Sequence, residues 1–245
     1  MYSIDNPWEK NAEWWQKGFT NGADAEYTQQ LLPIVQELIS GFKRVLDVGA
    51  GEGQAGRSLS RKVEAIIEID SSISQLCCNR QQSPFALLTQ GKVEELPFKE
   101  GAFDAIFACL VLEHVIPLHL FIDEISRVLR TGGRFLLVMN HPLTQAPDSG
   151  WIEDWTIDPM EKYWRLGPYL REETLEIEVE KGVFIPFTHR PLSSYVNKLS
   201  ESNIFVERML EPSPIATKEH ESSWRNQDSL IPRFLVLVCK KFQTI

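Results

Sequence analysis

The feature that most constrains this chain is a glycine-rich stretch, VLDVGAGEGQAG, at residues 45–56. It contains two overlapping patterns, because Gly49, Gly51 and Gly53 form G-x-G-x-G, whereas Gly51, Gly53 and Gly56 form G-x-G-x-x-G. An apolar run that leads into such glycines predicts a buried strand followed by a tight turn whose backbone can approach a ligand closely. The two patterns favour different ligands, so the pattern that is used decides what the protein binds.

Strand-like and helix-like segments alternate on both sides of this stretch. Apolar runs predict strands at RVLDVG, AIIEID, FALLT, FDAIFACL and RFLLVMN. Amphipathic patterns predict helices between them, most clearly over residues 117–130, which we expect Gly132 and Gly133 to end. A further helix and two strands, IFVERML and RFLVLVCK, follow residue 190. The alternation predicts an α/β fold with a doubly wound, mostly parallel sheet.

Bulk properties exclude several classes of protein. The formal charge of −9, from 34 acidic and 25 basic residues, argues against a general nucleic-acid binder, which needs a basic surface. No apolar stretch is long enough for a membrane helix, and we see no signal peptide at the N-terminus. The four cysteines form no C-x-x-C pair, which favours reduced thiols over disulfides or a metal site. We therefore expect a cytoplasmic protein with no membrane insertion.

Two carboxylates help to choose between the glycine patterns. Asp47 lies two residues before Gly49, where a negative charge suits a cationic ligand better than a pyrophosphate. S-adenosylmethionine carries an amino group and a sulfonium and has no phosphate. Asp70 ends the second predicted strand and can accept hydrogen bonds from ribose hydroxyls, but nicotinamide dinucleotides also contain ribose. Asp47 therefore favours the first pattern, whereas Asp70 is compatible with both.

Three segments, VLDVGAGEG, GKVEELPFKEGAFDAIFACLVLEHV and ISRVLRTGGRFLLV, resemble the class I S-adenosylmethionine-dependent methyltransferases in order and spacing. The resemblance covers about residues 43–140 and is strongest to the group that includes the ubiquinone- and menaquinone-pathway methyltransferases. It implies a seven-stranded sheet whose last strand is antiparallel. It also implies S-adenosylmethionine as cofactor and methyl transfer to a small-molecule acceptor as the activity.

We expect one methyltransferase domain over residues 1–245. Within it we distinguish an N-terminal helical cap segment (1–40), a cofactor-binding core (41–141), an inserted cap (142–190), and a C-terminal helix with the last core strands (191–245). The inserted cap interrupts the alternation between the fifth and sixth strands of the sheet. Aromatic residues of the two cap segments are expected to pack mainly on one another, with a minority reaching the substrate: Trp14, Trp15, Phe19, Trp151, Trp155, Tyr163, Trp164 and Tyr169.

The resemblance also implies a set of cofactor contacts. The methionine part is expected to contact Asp47, Gly49, Ala50, Gly51 and Gly53 on one side and Cys109 and Leu110, at the end of the fourth strand, on the other. The ribose is expected to contact Asp70 and Ser71, and the adenine Val93 and Glu94. One position departs from the family, since Lys92 stands where members usually have an aspartate that accepts a hydrogen bond from the adenine amino group. A lysine cannot accept one, so backbone groups or Glu94 hold the adenine, or the cofactor binds more weakly.

Methyl transfer needs mainly positioning and exclusion of water, and a base helps when the acceptor carries a proton. We expect His141, which follows the fifth strand, and His189, which closes the insertion, as catalytic residues. His114 is expected to pack at a helix start, and His119 and His220 to be solvated. Two alternatives stay open: a nicotinamide-dependent oxidoreductase that uses the second glycine pattern, and a non-catalytic binding or regulatory relative of the methyltransferases.

Overall fold

A computed structural model describes residues 6–19, 24–215 and 230–243 of the chain. Its strands, in chain order, are β1 (Arg44–Val48), β2 (Ala65–Asp70), β3 (Leu87–Gln90), β4 (Phe103–Cys109), β5 (Leu129–Asn140), β6 (Gly150–Asp154), β7 (Glu161–Arg165), β8 (Glu173–Glu180), β9 (Val183–His189), β10 (Ile204–Leu210) and β11 (Phe234–Lys241).

The helices are α1 (Pro7–Lys10), α2 (Ala12–Phe19), α3 (Leu32–Ile39), α4 (Gln54–Leu59), α5 (Ile73–Gln82), α6 (Leu118–Val128) and α7 (Leu192–Glu201). A π-helical turn, Tyr27–Leu31, leads into α3, and a 3-10 turn, Leu112–His114, follows β4.

Seven strands form the main sheet in the order β10-β11-β5-β4-β1-β2-β3. Strands β1 to β5 are mutually parallel, whereas β11 is antiparallel to both β5 and β10. This arrangement confirms the expected α/β fold with a mostly parallel sheet and an antiparallel last strand. The chain runs from β1 through β2 to β3 and then crosses past β1 to β4 on its other side, so the strand order reverses between β1 and β4. The ligand crevice of such a sheet opens at the carboxyl ends of these two strands.

Apolar layers cover both faces of the sheet because successive strand residues point to opposite sides. On β4, Ile106 and Ala108 belong to the layer under α6 and α7, whereas Ala105 and Phe107 belong to the layer under α3 and α4. The four side chains are fully buried. Two covered faces explain why the strand sequences are nearly continuous apolar runs.

Two predicted boundaries differ from the structure. Helix α6 ends at Val128 and β5 begins at Leu129, so Gly132 and Gly133 lie inside the strand and do not end the helix. The pairing of β4 with β5 shifts register there, and a Cβ on Gly133 would lie within 3.0 Å of backbone oxygens. These glycines are therefore required by an irregularity in the pairing of β4 with β5. From sequence alone, a glycine pair at such an irregularity looks the same as one that ends a helix.

The insertion at 142–190 consists of two hairpins, β6–β7 and β8–β9, between the fifth and sixth strands of the main sheet in chain order. In the first hairpin Trp151 and Trp164 face each other with perpendicular rings 5.4 Å apart, and the ammonium of Lys162 lies 4.7 Å from the Trp151 ring.

Among the described residues, no helix is long and apolar enough to cross a membrane.

Candidate functional site

A cavity of about 560 Å³ opens at the carboxyl ends of the parallel strands. Its walls come from the turns that follow β1, β2, β3 and β4 and from the N-terminal helices. The volume lies within the range of small-molecule sites, and the location is the one expected for a sheet of this type.

Most of the residues predicted to contact a cofactor line this single cavity. The turn after β1 contributes Gly49, Ala50, Gly51 and Gly53. The turns after β2, β3 and β4 contribute Asp70, Ser71, Val93, Glu94, Cys109 and Leu110. Lys92 lines it as well. Asp47 is not part of the wall, since it lies buried within β1, two residues before the turn.

The backbone of the turn after β1 requires glycine. Gly49, Gly51 and Gly53 have φ values of +71°, +56° and +80°, a region that other residues rarely adopt. A Cβ on Gly53 would lie 2.2 Å from the Asn79 side chain, whereas a Cβ on Gly51 would have no atom within 4 Å. The space beside Gly51 is therefore open, and a ligand can come against its backbone.

Asp70 holds this turn in place. Its two carboxylate oxygens accept hydrogen bonds from the amides of Gly51 and Ser72, each at 2.8 Å. Burial raises the pKa of Asp70, while the amides of Ser72, Gly51 and Ser71 act in the opposite direction. The residue thus joins the end of β2 to the turn after β1 and retains lone pairs for a ligand.

Asp47 places a buried carboxyl group with an unsatisfied oxygen behind the same turn. Its side chain is 2% exposed, and Oδ2 has no hydrogen-bond partner among the described residues. Burial, followed by the charges of Glu68 and Asp70, raises the pKa of Asp47 well above its usual range, although the Gly56 amide opposes the shift. A buried carboxyl group without a counter-ion is costly, and a cation bound nearby would relieve that cost.

The cavity wall is predominantly acidic. Among the described residues, five carboxylates line it, those of Asp24, Glu52, Asp70, Glu94 and Glu113. The same part of the chain contributes two cationic side chains to the wall, Lys92 and Arg233. The wall therefore favours a cationic ligand over an anionic one.

The two histidines expected to be catalytic do not line the cavity. His141 is buried; Nε2 lies 2.9 Å from a Glu211 carboxylate oxygen, and Nδ1 accepts from the Leu143 amide at 3.1 Å. His189 is 2% exposed, and its Nε2 lies 2.7 Å from the Tyr169 carbonyl oxygen. His119 is exposed as expected, whereas the prediction for His220 falls outside the described residues.

The aromatic residues of the insertion also lie away from the cavity. Of the insertion, only Pro186 belongs to the described cavity wall. Trp155 is 74% exposed, Trp151 packs against Trp164, and the Tyr169 hydroxyl accepts a hydrogen bond from the Leu192 amide. None of the described insertion rings lines this cavity: Trp151 and Trp164 pack on each other, whereas Trp155 and Tyr163 are exposed. The expectation that a minority of the cap rings reaches the substrate is left with the N-terminal segment.

The N-terminal helices cover the cavity instead. Trp8 and Trp15 line it, with perpendicular rings 5.4 Å apart. Glu9 anchors this segment to the start of α5, where it accepts hydrogen bonds from the hydroxyls of Ser72 and Ser74, both at 2.6 Å, and from the Ser74 amide at 3.1 Å. We call residues 6–19 the strap. Its anchor could not be predicted from sequence, because the serines lie more than 60 positions away.

Tyr27 enters the wall from the π-helical turn before α3. Asp24 accepts a hydrogen bond from the Tyr27 amide at 3.0 Å and is itself paired with Arg233 at 3.1 Å. Arg233 also pairs with Glu26. Burial raises the pKa of Tyr27 well above its usual range, so the phenol remains protonated at neutral pH. A π-helical turn recurs at functional sites and is the signal that marks this segment, but it is visible only in the structure.

His114, which we expected to pack at a helix start, lines the cavity together with its neighbour Glu113. Its Nδ1 lies 2.8 Å from the Pro186 carbonyl oxygen, and its ring lies 4.6 Å from that of Trp8. Glu113 is 4% exposed; one carboxylate oxygen accepts from the Asn140 amide group at 2.6 Å, and the other has no partner among the described residues.

Comparison with known proteins gives consistent matches. Residues 46–137 match the family described as methyltransferase domain. An uncharacterized methyltransferase of Synechocystis is 36% identical over 112 residues, which cover 45% of this chain and 53% of the relative. A demethylmenaquinone methyltransferase of Tropheryma whipplei is 36% identical over 110 residues, which cover 42% of this chain and 45% of the relative. The chain thus spans about half the length of the curated relatives it matches.

Among solved structures, the S-adenosylmethionine-dependent methyltransferase of Mesorhizobium loti has a TM-score of 0.71 and 22% identity. The match covers 89% of this chain and 98% of that protein, so the fold is shared almost throughout.

Proposed function

Since the cofactor-binding core of this chain belongs to the class I S-adenosylmethionine-dependent methyltransferases, we propose that the protein transfers a methyl group from S-adenosylmethionine to a small-molecule acceptor. The observation that carries the proposal is the turn after β1, with Asp47 buried and unpaired behind it and open space beside Gly51. A cationic ligand that lies along a glycine backbone satisfies both features.

The residues present fit S-adenosylmethionine. The cofactor is a cation, and the wall carries more carboxylates than cationic groups. Asp70 and Ser71 follow β2, where they would receive the ribose, while Val93 and Glu94 follow β3, where they would lie beside the adenine. Gly49, Ala50, Gly51 and Gly53 would hold the methionine part, with Cys109 and Leu110 on its other side. All of these residues except the buried Asp47 line the same cavity, which supports the assignments.

When bound, S-adenosylmethionine supplies a methyl group on a sulfonium, which is already a good electrophile. The chain's residues therefore need mainly to orient the partners and to exclude water. Asp70 fixes the turn through the amides of Gly51 and Ser72. The strap covers the cavity with Trp8 and Trp15 and so limits access of water to the reacting groups.

Lys92 lines the cavity at the position where members of the family usually have an aspartate. We propose that the adenine amino group has no carboxylate partner at this position and that backbone groups after β3 hold the ring. The competing assignment gives this contact to Glu94, which lines the cavity two residues later. A comparison of variants at the two positions, described in the Discussion, separates these assignments.

We propose that His141 and His189 support the site without touching the reacting groups. The His141 amide donates to the Arg233 carbonyl at 2.8 Å, so this histidine ties the end of β5 to the start of β11. His189 fixes the Tyr169 carbonyl beside the start of α7. Both side chains are buried outside the cavity wall, which supports a structural role over the catalytic role that their sequence positions suggest.

We keep the division of the chain into two cap segments, a core and a C-terminal part as a proposal. The N-terminal cap is supported by the strap, whereas support for the inserted cap is limited to β9, whose Pro186 lines the cavity. The acidic wall supports a small-molecule acceptor over a nucleic acid. The four cysteines are free thiols, which supports a cytoplasmic location.

Calorimetric titration with S-adenosylmethionine, S-adenosylhomocysteine and NADH tests the proposal. We expect the first two to bind and NADH not to bind. Gly56, which the dinucleotide pattern requires, lies in α4 and is not part of the described cavity wall. A Cβ on this residue would lie 2.4 Å from a Glu68 carboxylate oxygen, so its glycine is explained by packing. Binding of NADH alone would overturn the proposal in favour of an oxidoreductase. Incubation of a metabolite pool with methyl-labelled cofactor then identifies the acceptor, and cofactor binding without any labelled product would favour a non-catalytic relative.

A further inference from the structure

The cavity extends beyond the residues proposed for the cofactor. The cofactor candidates lie in or after the ends of β1, β2, β3 and β4. A second part of the wall comes from the turn past β4, from the strap and from β9. Beside Glu113, this part carries mainly apolar and aromatic side chains, among them Trp8, His114, Ile116, Pro117 and Pro186. We call these five residues the acceptor wall.

The hydrogen bond of His114 determines which of its ring nitrogens carries a proton. Nδ1 lies 2.8 Å from the Pro186 carbonyl oxygen, and a carbonyl can only accept, so Nδ1 is the donor. In a neutral imidazole the other nitrogen, Nε2, is then an acceptor with a free lone pair. Nε2 has no hydrogen-bond partner in the described part of the chain, although the side chain faces the cavity.

The surroundings hold this ring in one orientation. The Trp8 ring packs against it at 4.6 Å, and the Phe187 ring lies 6.2 Å away, both at steep angles. The turn that carries His114 is fixed by Arg190, a buried side chain that donates to the carbonyls of Val115 and Ile116, both at 2.6 Å, and to that of Leu112 at 3.2 Å. The acceptor nitrogen is therefore presented by a rigid turn, as a catalytic group requires.

The other histidines of the described chain do not offer this arrangement. Both ring nitrogens of His141 are engaged, His189 is buried away from the cavity, and His119 is exposed on α6. Among the carboxylates of the described cavity wall, that of Asp24 pairs with Arg233. Glu113 is held by Asn140 through one oxygen, and its other oxygen is fully buried without a partner among the described residues. His114 is only half-buried, so it is the acceptor that this part of the wall presents to the cavity.

We propose, on the basis of the proposed methyltransferase function, that the acceptor wall binds a flat, uncharged hydroxyl compound of the phenol class and that His114 Nε2 is the catalytic base for its methylation. The acceptor oxygen forms a bond to the methyl carbon, and the carbon–sulfur bond breaks with its electron pair going to sulfur. The hydroxyl proton passes to Nε2. The resulting imidazolium keeps its Nδ1–H bond to Pro186, so the transfer needs no movement of the ring.

Nitrogen-15 NMR of the imidazole groups tests the arrangement without requiring turnover. The protein is saturated with S-adenosylhomocysteine and titrated with p-cresol, and His114→Asn identifies the His114 signals. We expect the Nδ1–H tautomer before titration and a saturable shift of the Nε2 signal on addition of p-cresol. His119, the exposed histidine five residues later, serves as the matched control, and its signals should not shift.

Calorimetry on the same samples measures how much His114 Nε2 contributes to the affinity for p-cresol. We expect His114→Asn to weaken p-cresol binding by about fivefold, the factor that corresponds to one ordinary hydrogen bond, and His119→Asn to leave it unchanged. Benzylamine, a cation of similar size, should bind more weakly than p-cresol. An Nε2–H tautomer, no saturable p-cresol binding, equal affinity in wild type and His114→Asn, or tighter binding of benzylamine would each overturn the inference.

The preceding titration with S-adenosylhomocysteine separates this inference from the function on which it rests. If wild type fails to bind S-adenosylhomocysteine and S-adenosylmethionine, the proposed function itself is wrong. If S-adenosylhomocysteine binds to wild type and to His114→Asn with the same affinity, both proteins are folded at the site. A missing effect of p-cresol then refutes the acceptor wall and the base alone.

Discussion

Gly51 and Gly182 have the same type of backbone conformation in different surroundings. Their φ values are +56° and +83°, and a Cβ on either residue would meet no atom within 4 Å. Gly182 lies in the turn between β8 and β9, outside the cavity wall, whereas Gly51 lies in the wall. The pair therefore separates the cost of the backbone conformation from the need for ligand space.

We predict that Gly51→Ala and Gly182→Ala each lower the unfolding free energy by about 1–2 kcal/mol, because a left-handed conformation is unfavourable with a Cβ. Only Gly51→Ala should also weaken S-adenosylhomocysteine, by at least about tenfold, or 1.4 kcal/mol. Urea unfolding and calorimetry measure the two quantities. Unchanged ligand affinity in Gly51→Ala would remove this turn from the cofactor site.

Lys92 and Glu94 form a second informative pair, since both line the cavity after β3. If the adenine has no carboxylate partner, Lys92→Asp should tighten S-adenosylhomocysteine by about 1–2 kcal/mol, and Glu94→Ala should have little effect. Calorimetric titration of both variants decides the matter. The reverse pair of results, a neutral Lys92→Asp with a weakened Glu94→Ala, would assign the adenine contact to Glu94.

Individual cofactor candidates could be predicted from sequence because each lies at or shortly after the end of a strand. Asp70, Val93 and Cys109 reach one cavity since the carboxyl ends of parallel strands meet at the same edge. The same reasoning favoured His141 but not His114. The difference depends on where the chain turns after leaving β4 and β5, and that is decided by tertiary contacts such as those of Arg190.

At the scale of elements, the strap and the hairpins show what sequence patterns leave out. The helix α6 and the core strands are apparent from apolar periodicity. The hairpins lack a continuous apolar signal, and the side chains of β8 are almost all exposed. The strap is held to the protein by polar contacts along its length, among them those of Glu9 with the start of α5 and of Asn11 with the Phe184 carbonyl. Such contacts have no periodicity, so only the folded structure shows them.

The anchor of the strap is expected to depend on pH. Burial acts against the shift, but hydrogen bonds from Ser72 and Ser74 lower the pKa of Glu9 below its ordinary value. A carboxyl group with a depressed pKa stabilises the closed strap at neutral pH, and this contribution is lost as the pH falls through that lowered value.

We predict that Glu9→Gln releases S-adenosylhomocysteine roughly tenfold faster at neutral pH, as expected for losing about 1.4 kcal/mol of charge-assisted hydrogen bonding. The fluorescence of the strap tryptophans reports the release in a stopped-flow displacement. Glu13→Gln is the matched control, because Glu13 is exposed on α2. Equal release rates in the two variants would contradict an anchor at Glu9.

At the scale of the whole molecule, the sheet carries three buried carboxyl groups on the neighbouring strands β1 and β2. Asp47 and Glu68 are each 2% exposed and adjacent in register on β1 and β2, with Asp70 at the end of β2. Burial is the first cause that raises the pKa of all three. The native state therefore binds protons that the unfolded chain releases, so its stability falls as the pH rises above the ordinary carboxyl range.

We predict that Asp47→Asn flattens this dependence in the cofactor-free protein. Between about pH 5 and pH 8 the unfolding free energy of wild type should decline more than that of the variant, by about 1.4 kcal/mol for each unit of pKa shift removed. The pKa of Asp104 is lowered, since the Arg44 amide and Arg130 outweigh its burial, so Asp104→Asn should reduce stability without changing the slope. Parallel pH profiles for wild type and Asp47→Asn, measured by urea unfolding, would refute the prediction.

Arg190 has a practical consequence for recombining this protein with its relatives. It lies directly after the last residue of β9, yet its charge is used to fix the turn after β4, some 75 positions earlier. A graft that replaces the hairpins as one module must therefore keep its downstream junction before His189 and Arg190. A junction placed after these residues would exchange the support of the turn along with the hairpins, and the chimera would lose the shape of the turn that follows β4.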